Sequence, residues 1–417
     1  MERPGGTHNL DRMTSFDRRL LAVGAAAALV LTGCGAGDRD LTGAGSDQET
    51  AGVFTPPTRQ ALTRLGPPEG TLDIVAWAGY AEDGSTDRSV DWVTPFEKAT
   101  GCQVTVQTAT SSEQMLELMD SGEYDVVSAS GEVSLQLVAS GDVEPVNTDL
   151  VPNYRDVFEG LKGQPWNSVK GESYGVPHGR AANVLMYRTD LVTPAPDSWE
   201  VVFDPESPYQ GKITAYDSPL YIADAAVYLM ATEPELGIKN PYALDEDQLE
   251  AATDLLKQQN ANVGDYWDDY LAELESFKSG GTEVGTSWQS VVNLGLLDEV
   301  PVQGVLPKEG ATGWSDTWMV AAESEHPTCA YKWLDHIVSP EVNAAASDWL
   351  GQAPANAKSC ALTVDKLHCR TYHADDETYF DRVWPWTRPV VQCLDGRTDV
   401  ECTDYDRWAA AWQEVKG

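Results

Sequence analysis

Short apolar runs alternate along the chain with segments whose apolar residues recur at helical spacing. The runs TLDIVAW (71–77), CQVTVQTA (102–109) and YDVVSAS (124–130) have the length and composition of strands. The helical segments between them end at Gly101 and Gly122, because glycine readily adopts the left-handed conformation that closes a helix. Strand and helix in turn predict an α/β fold with a doubly wound sheet.

A second set of such segments follows further along the chain. SYGVPHGRAANVLMYR (173–188), KITAYDS (212–218) and TEVGTSW (282–288) are predicted strands, and YIADAAVYLMATE (221–233) and DEDQLEAATDLLKQQN (245–260) are predicted helices. We find no internal repeat between the two sets. Two α/β units in one chain predict two lobes.

Aromatic, acidic or small polar side chains stand at the ends of several predicted strands, where open α/β sheets bind ligands. These candidate ligand-binding residues are Trp77, Tyr80, Ser130, Glu132, Asp217, Trp288, Trp314 and Asp316. A tryptophan at any one of these positions would ordinarily be a core residue. Their recurrence favours a site. Aromatic faces and carboxylates together suit a ligand with ammonium groups on an alkyl chain.

The charge balance narrows the possible partners. The 417 residues include 66 Asp and Glu against 28 Lys and Arg, a net charge of −38. Nucleic acid is excluded as a partner because phosphate binding needs clustered basic residues. The acidity is typical of a soluble exported or salt-tolerant protein, or else of a protein with a cationic ligand.

The first 34 residues have the pattern of an export signal: Arg18 and Arg19, then the apolar run 20–33, then Cys34. LTGC (31–34) resembles the bacterial lipobox, whose cysteine carries the lipid. A signal anchor is the alternative, but the run is shorter than the ~20 residues of a spanning helix. Met13 is a second candidate start, and the export route, Sec or twin-arginine, stays open. Residues 35–68 are predicted to be a flexible tether that holds the protein outside the cell, at the outer face of the membrane.

Six cysteines remain in this oxidising compartment, and disulfide bonds are the default. Fifteen pairings are possible. We favour Cys102 with Cys329, Cys360 with Cys369, and Cys393 with Cys402. A metal site is not expected, because there is no C-x-x-C pair and the six histidines do not fall at ligand spacing.

Motifs of enzymes are missing from the sequence. It has no G-x-S-x-G, no H-E-x-x-H, no phosphate-binding loop and no G-x-G-x-x-G after the first strand. A hydrolase that uses two carboxylates among Glu132, Asp217 and Asp316 stays formally open. We expect no catalytic residue and no cofactor.

From Thr71 to its end the chain resembles the spermidine/putrescine-binding proteins of ABC importers. The resemblance is carried by TLDIVAWAGY (71–80), FEKATGCQVTV (96–106), GEYDVV (122–127), SYGVPHG (173–179), SWEVVFDPESPYQGKI (198–213), EVGTSW (283–288) and LPKEGATGWSDTWMV (306–320). It implies a two-lobed Venus-flytrap fold, each lobe a mixed sheet with helices on both faces, and a ligand cleft between the lobes. It also implies a monomer that delivers its amine to a membrane permease and its ATPase.

The same resemblance assigns roles by position. Trp77 and Tyr80 match aromatic residues of the first lobe, and Ser130 matches a polar contact. Trp288 matches the ring beside the alkyl chain. Trp314 and Asp316 match a W-x-D motif whose acid holds an amine.

Asp217 lies at the position of an acid of the second lobe in the family, or one position away from it. Three positions depart from the family: Glu132 where a tyrosine is frequent, Tyr221 where a second acid is frequent, and Gln352 where another tyrosine is expected. Glu132 is therefore a candidate replacement contact for a second amine. Arg180 is expected to pair with an acid, or else to meet a carboxylate on a zwitterionic ligand.

The lobes are predicted over 69–179 with 313–372 and over 180–312 with 373–417. Two other kinds of function remain. One is a binding protein for a zwitterionic amine, sugar, iron chelate or anion. The other is a secreted enzyme or adhesin with the same fold.

Overall fold

The computed structural model describes residues 55–417. Its strands form two mixed sheets and a small two-stranded sheet. The strands are β1 (Thr71–Trp77), β2 (Gln103–Ala109), β3 (Val126–Ala129), β4 (Ser168–Val169), β5 (Glu172–Ser173), β6 (Val176–Pro177), β7 (Gly179–Arg188), β8 (Ile213–Tyr216), β9 (Val263–Trp267), β10 (Val284–Trp288), β11 (Val302–Val305), β12 (Ala311–Trp314), β13 (Thr317–Val320), β14 (Ala353–Pro354) and β15 (Val383–Pro385). The helices are α1 (Val93–Thr100), α2 (Ser112–Asp120), α3 (Gly131–Ser140), α4 (Glu200–Phe203), α5 (Tyr221–Thr232), α6 (Glu246–Asn260), α7 (Tyr270–Ser279), α8 (Gln289–Leu297), α9 (Pro327–Ile337), α10 (Pro340–Leu350), α11 (His368–Thr371), α12 (Glu377–Phe380) and α13 (Tyr405–Lys416).

The first sheet has the strand order β2-β1-β3-β13-β6. Strand β1 runs parallel to β2 and β3, whereas β13 runs antiparallel to β3 and β6. Helices α1 and α9 contribute Phe96 and Trp333, which are fully buried with Trp318 of β13. Burial of these large rings contributes to the stability of this lobe.

The second sheet has the order β15-β12-β7-β10-β8-β9, and β11 and β14 also pair with β7. Strands β8, β9 and β10 are mutually parallel, and β7 is antiparallel to β10. The fully buried Trp199, Phe203, Tyr221, Phe277 and Trp408 belong to its core. The mixed α/β architecture in two lobes is the one predicted.

The chain passes between the two sheets at His178, which separates β6 from β7, at Ser315 and Asp316, which separate β12 from β13, and a third time between β13 and β14. The first two crossings are joined, because the His178 backbone N–H donates to the Asp316 carbonyl at 2.8 Å. The predicted strand over 173–188 is therefore interrupted at His178. The lobe limits given above stay a prediction.

Local sequence accounts for several of the element ends. Gly101 closes α1 with a φ of +78°, and α6 begins at a capping box formed by Asp245 and Gln248. The strand predicted over 124–130 is shorter, because Ser130 is already the residue that precedes α3.

The export signal and Cys34 lie outside the described residues, as does the first part of the predicted tether. Residues 55–68 form no helix or strand, and Leu62 packs against the core of the first lobe. No helix in the described range 55–417 is long and apolar enough to cross a membrane. The structure contains the three favoured disulfide bonds, Cys102–Cys329, Cys360–Cys369 and Cys393–Cys402.

Candidate functional site

Tyr80 reaches Asp316 from the turn that follows β1. The turn is closed by a hydrogen bond from the Tyr80 N–H to the Trp77 carbonyl at 3.2 Å. Gly79 has a φ of +85°, and a Cβ there would lie 3.0 Å from Nε1 of Trp349. Only glycine fits both conditions without strain. The stretch WAGY therefore directs the Tyr80 side chain toward the crossing between the lobes.

Asp316 is a buried acid with a neutral side-chain partner. The residue is 6% exposed, and the Tyr80 hydroxyl donates a hydrogen bond to its Oδ2. Burial raises the pKa of Asp316 to about 6, and the Tyr80 hydrogen bond opposes that rise. Within residues 55–417, no Lys, Arg or His forms an ion pair with this carboxylate. A cation supplied from outside would compensate its buried charge.

His178 completes this group of side chains, and the sequence analysis did not single it out. Its ring centre lies 4.7 Å from that of Tyr80, and its Nδ1 accepts a hydrogen bond from the Trp318 indole at 3.0 Å. Burial lowers the pKa of His178 to about 3, so the ring is neutral at physiological pH. It therefore leaves the negative charge of Asp316 uncompensated.

Six aromatic residues pack together, five at or directly after strand ends of the second sheet and one at the start of α7. This aromatic cluster consists of Tyr216, Trp267, Tyr270, Trp288, Trp314 and Trp386. The rings of Trp288 and Trp314 meet edge to face with centres 5.6 Å apart, and both residues are only partly buried. Trp314 is two residues before Asp316, so the cluster adjoins the crossing. Sequence reasoning found Trp288 and Trp314 but missed the buried members behind them.

A buried hydrogen-bond chain orients Trp288. Its indole N–H donates to Asn183 Oδ1 at 3.1 Å, the Asn183 amide donates to Thr312 Oγ1 at 2.7 Å, and Thr312 donates to Asp224 Oδ1 at 2.9 Å. Burial raises the pKa of Asp224 to about 7. The chain fixes the ring plane of Trp288 from inside the lobe.

Trp77 and Ser130 are 3% and 4% exposed. Neither the Trp77 indole N–H nor the Ser130 hydroxyl has a hydrogen-bond partner among the described residues. Unpaired buried donors are costly, which makes them candidates for ligand contact. Glu132 is the second residue of α3, and its side chain lies outside the described part of the structure.

Asp217 is engaged inside its own lobe. Its Oδ2 accepts a hydrogen bond from the Lys416 ammonium group, and its Oδ1 accepts one from the Trp412 indole at 3.1 Å. No contact among the described residues links it to Asp316. Its predicted role as a ligand contact stays untested.

Arg180 pairs with an acid, the alternative we preferred on sequence grounds. It binds both carboxylate oxygens of Glu377, at 2.7 and 3.0 Å, and its guanidinium lies 3.8 Å from the centre of the Phe380 ring.

Tyr221 is fully buried and its hydroxyl accepts a hydrogen bond from Gln259. Gln352 is buried, and its Nε2 has no partner in the described range.

Asp73, Asp125 and His326 are three potential metal ligands that the histidine spacing did not indicate. The Asp125 oxygens already accept hydrogen bonds from the Asp73 N–H at 2.9 Å and from Ser324 Oγ at 2.7 Å, and they contact His326 Nδ1 at 2.9 Å. These contacts explain why the three side chains lie close together, and no bound metal ion is needed to hold them.

Comparison with known proteins agrees with this architecture. Residues 91–366 match the family described as bacterial extracellular solute-binding protein. The chain is 24% identical over 298 residues to spermidine/putrescine-binding periplasmic protein 1 of Haemophilus influenzae, covering 69% of this chain and 76% of that protein. It is 24% identical over 328 residues to the spermidine/putrescine-binding periplasmic protein of Escherichia coli, covering 76% and 90%.

Among solved structures, the TpPotD lipoprotein of Treponema pallidum has a TM-score of 0.66 with 16% sequence identity, over 83% of this chain and 99% of that one. This likeness confirms the fold of the periplasmic binding proteins that the sequence predicted. The family match spans about two thirds of the chain and includes all three crossings between the sheets. The protein belongs to the bacterial extracellular solute-binding protein family.

Proposed function

We propose that this protein is the lipid-anchored receptor of an ABC importer, and that it binds a small amine or polyamine between its lobes. The observation that carries the proposal is Asp316. This carboxylate is buried at the crossing, and no cation among the described residues neutralises it. An ammonium group is the ligand chemistry that removes the cost of its buried charge.

The neighbouring aromatic rings support the same ligand. Trp288 and Trp314 are partly exposed beside the crossing, and a tryptophan face attracts a cation by roughly 0.5 to 2 kcal/mol. Their flat apolar surfaces also suit the methylene groups between amines. Trp77, Tyr80 and Ser130 are assigned to the first-lobe side of the site, and Glu132 to a further polar contact.

The names of the relatives agree with an amine. Both curated relatives described above are named as spermidine/putrescine-binding proteins. The zwitterionic alternative lacks a comparable observation, because the Arg180 guanidinium is already paired with Glu377. No reaction is assigned to the protein, and it needs no cofactor.

Binding is proposed to work through closure of the lobes. A ligand that touches both lobes has a higher affinity for the closed state and shifts the population toward it. The closed monomer is the form that would be delivered to the permease and its ATPase. Lipidation of Cys34, with residues 35–68 as the tether, would keep the receptor beside that permease.

A thermal-shift screen of the full chain tests the ligand class. Putrescine, spermidine, n-butylamine, 4-aminobutyrate, glycine betaine, glucose and phosphate would be compared at equal concentration. A ligand that binds the native state raises the Tm by mass action. We expect the amines to raise the Tm and glucose and phosphate to leave it unchanged. A shift with glucose or phosphate alone would refute the amine proposal.

A further inference from the structure

The second acid predicted for the cleft, Asp217, directly follows β8. Its N–H donates to the Trp267 carbonyl at 2.8 Å, and the preceding Tyr216 belongs to the aromatic cluster. Trp267 and Trp288 end the neighbouring strands β9 and β10. Asp217 therefore stands at the same edge of the sheet as the rings proposed to contact the ligand.

The ammonium group of Lys416 already binds this carboxylate. Lys416 Nζ donates to Asp217 Oδ2 and lies 4.4 Å from the centre of the Tyr266 ring and 5.9 Å from that of Trp412. The Trp412 indole takes the other carboxylate oxygen. A carboxylate with two aromatic faces is the environment that an alkyl ammonium ligand requires. Here the lysine side chain supplies that alkyl ammonium.

The helix that carries Lys416 is firmly held. Asp404 caps the start of α13 by accepting a hydrogen bond from the Arg407 N–H at 3.0 Å. Trp408, Trp412 and Val415 are buried along one side of the helix. Because these contacts fix the last turn, the ammonium group of Lys416 is presented to Asp217 by the fold itself.

The two acids therefore differ in what they leave for a ligand. Asp316 has a neutral partner and no described cation, whereas Asp217 has a cation and an indole N–H on its two oxygens. A second ammonium group of the ligand could bind Asp217 only by displacing Lys416. The lost interaction between Lys416 and Asp217 would then offset the new one between the ligand and Asp217.

We infer that Lys416 takes the place of a second ligand ammonium group at Asp217, so that the cleft recognises an amine through a single ammonium group, at Asp316. Lys416 is then a specificity-determining residue, one that keeps diamines from a second charged contact. This inference rests on the proposed function and names the class of amine within it.

Calorimetric titration of the full chain with n-butylamine and with putrescine tests the inference, because the two probes share a four-carbon chain and differ in one ammonium group. For the wild type we expect affinities within about threefold of each other. In Lys416→Met, which keeps the apolar stem and removes the charge, we expect putrescine to bind about tenfold more tightly while n-butylamine is unchanged.

Lys257→Met is the matched control. Lys257 likewise forms an ion pair that involves α13, because its ammonium group lies 3.2 Å from the carboxylate of Glu414 on that helix. It should leave the ratio of the two affinities unchanged. Asp217→Asn provides a second measurement should Lys416→Met fold poorly. It should lower the Tm, because Lys416 loses its partner, while the affinity for n-butylamine stays the same.

Three outcomes overturn the inference and leave the proposed function intact. They are a wild-type preference for putrescine of tenfold or more, an unchanged putrescine affinity in a folded Lys416→Met, and a tenfold loss of putrescine affinity in Asp217→Asn. If neither amine binds any variant while another solute does, the proposed function fails and the inference fails with it.

Discussion

The Tyr80 hydroxyl donates a hydrogen bond to Asp316, and this contact joins the turn after β1 to the crossing between β12 and β13. The two residues are 236 positions apart. The phenol keeps one carboxylate oxygen in a fixed position without supplying positive charge. The site is therefore rigid and negatively charged before any ligand arrives, which reduces the cost of ordering it on binding.

Amine affinity should depend on pH around 6. Burial raises the pKa of Asp316 to about 6, and the carboxyl group is uncharged below that value. The ammonium ligand stays charged over the same range, so affinity rises with pH. At pH 5 we expect binding about tenfold weaker than at pH 7.5. Calorimetry at the two values measures the change, and equal affinities would contradict the ammonium contact.

Tyr80→Phe should shift that profile upward. The Tyr80 hydrogen bond lowers the pKa of Asp316, so its removal lets burial raise the pKa further. At pH 6.5 the variant should bind the amine several-fold more weakly than the wild type, and at pH 8.5 the two should converge. A loss of the same size at both pH values would mean that Tyr80 acts by packing alone.

Arg180→Met should change stability and leave amine binding alone. The guanidinium is paired with Glu377 and stacked on Phe380, and neither of these residues is an assigned ligand contact. Losing its charged hydrogen bonds should cost about 1 to 3 kcal/mol of unfolding free energy. Urea unfolding gives that cost, and titration with n-butylamine gives the affinity. Loss of amine binding in a folded variant would place Arg180 in the ligand site.

Asp224→Asn should alter the pH dependence of stability. The folded pKa of Asp224, about 7, is raised above the ordinary value, so the native state holds a proton that the unfolded chain releases. The wild type therefore loses stability from this group as pH rises from about 4 to 7, by at most about 1.4 kcal/mol per unit. Asparagine has no such titration. Urea unfolding at pH 4.5 and 7.5 measures the unfolding free energy of both proteins. Relative to the wild type, the variant should be more stable at pH 7.5 than at pH 4.5. The same difference in unfolding free energy at both pH values would count against this account.

The disulfide bonds should differ in their effect on stability. Cys102–Cys329 closes a loop of 227 residues, and Cys360–Cys369 closes one of 9. The loss of loop entropy in the unfolded chain predicts a contribution of about 5 kcal/mol for the first and about 2.5 kcal/mol for the second. Paired replacement by alanine followed by urea unfolding compares them. A larger cost for the short loop would contradict this entropic account.

The sequence predicted the α/β lobes and the aromatic residues at strand ends because both follow from local patterns. Apolar runs such as 71–77 are visible without any tertiary information, and Trp288 is the last residue of the predicted strand 282–288. The three disulfide bonds were favoured from the number and spacing of the cysteines.

The pairing of Asp217 with Lys416 was not predicted, because it joins residues 199 positions apart through the packing of α13. Nothing in the local sequence of either residue indicates the other. His178 was missed for a similar reason. Its role depends on the Trp318 indole and on the break between two strands, which a continuous apolar pattern conceals.

The most direct test of the central claim is calorimetric titration of the wild type and Asp316→Asn with n-butylamine at pH 8. Asparagine keeps the shape of the side chain and an oxygen to accept from Tyr80, so the ligand-free Tm should stay within about 3 °C of the wild type. The account predicts that the variant loses about 1 to 3 kcal/mol of binding free energy, the range for a hydrogen bond to a charged group. Equal affinity in the two proteins would mean that Asp316 does not hold the ammonium group.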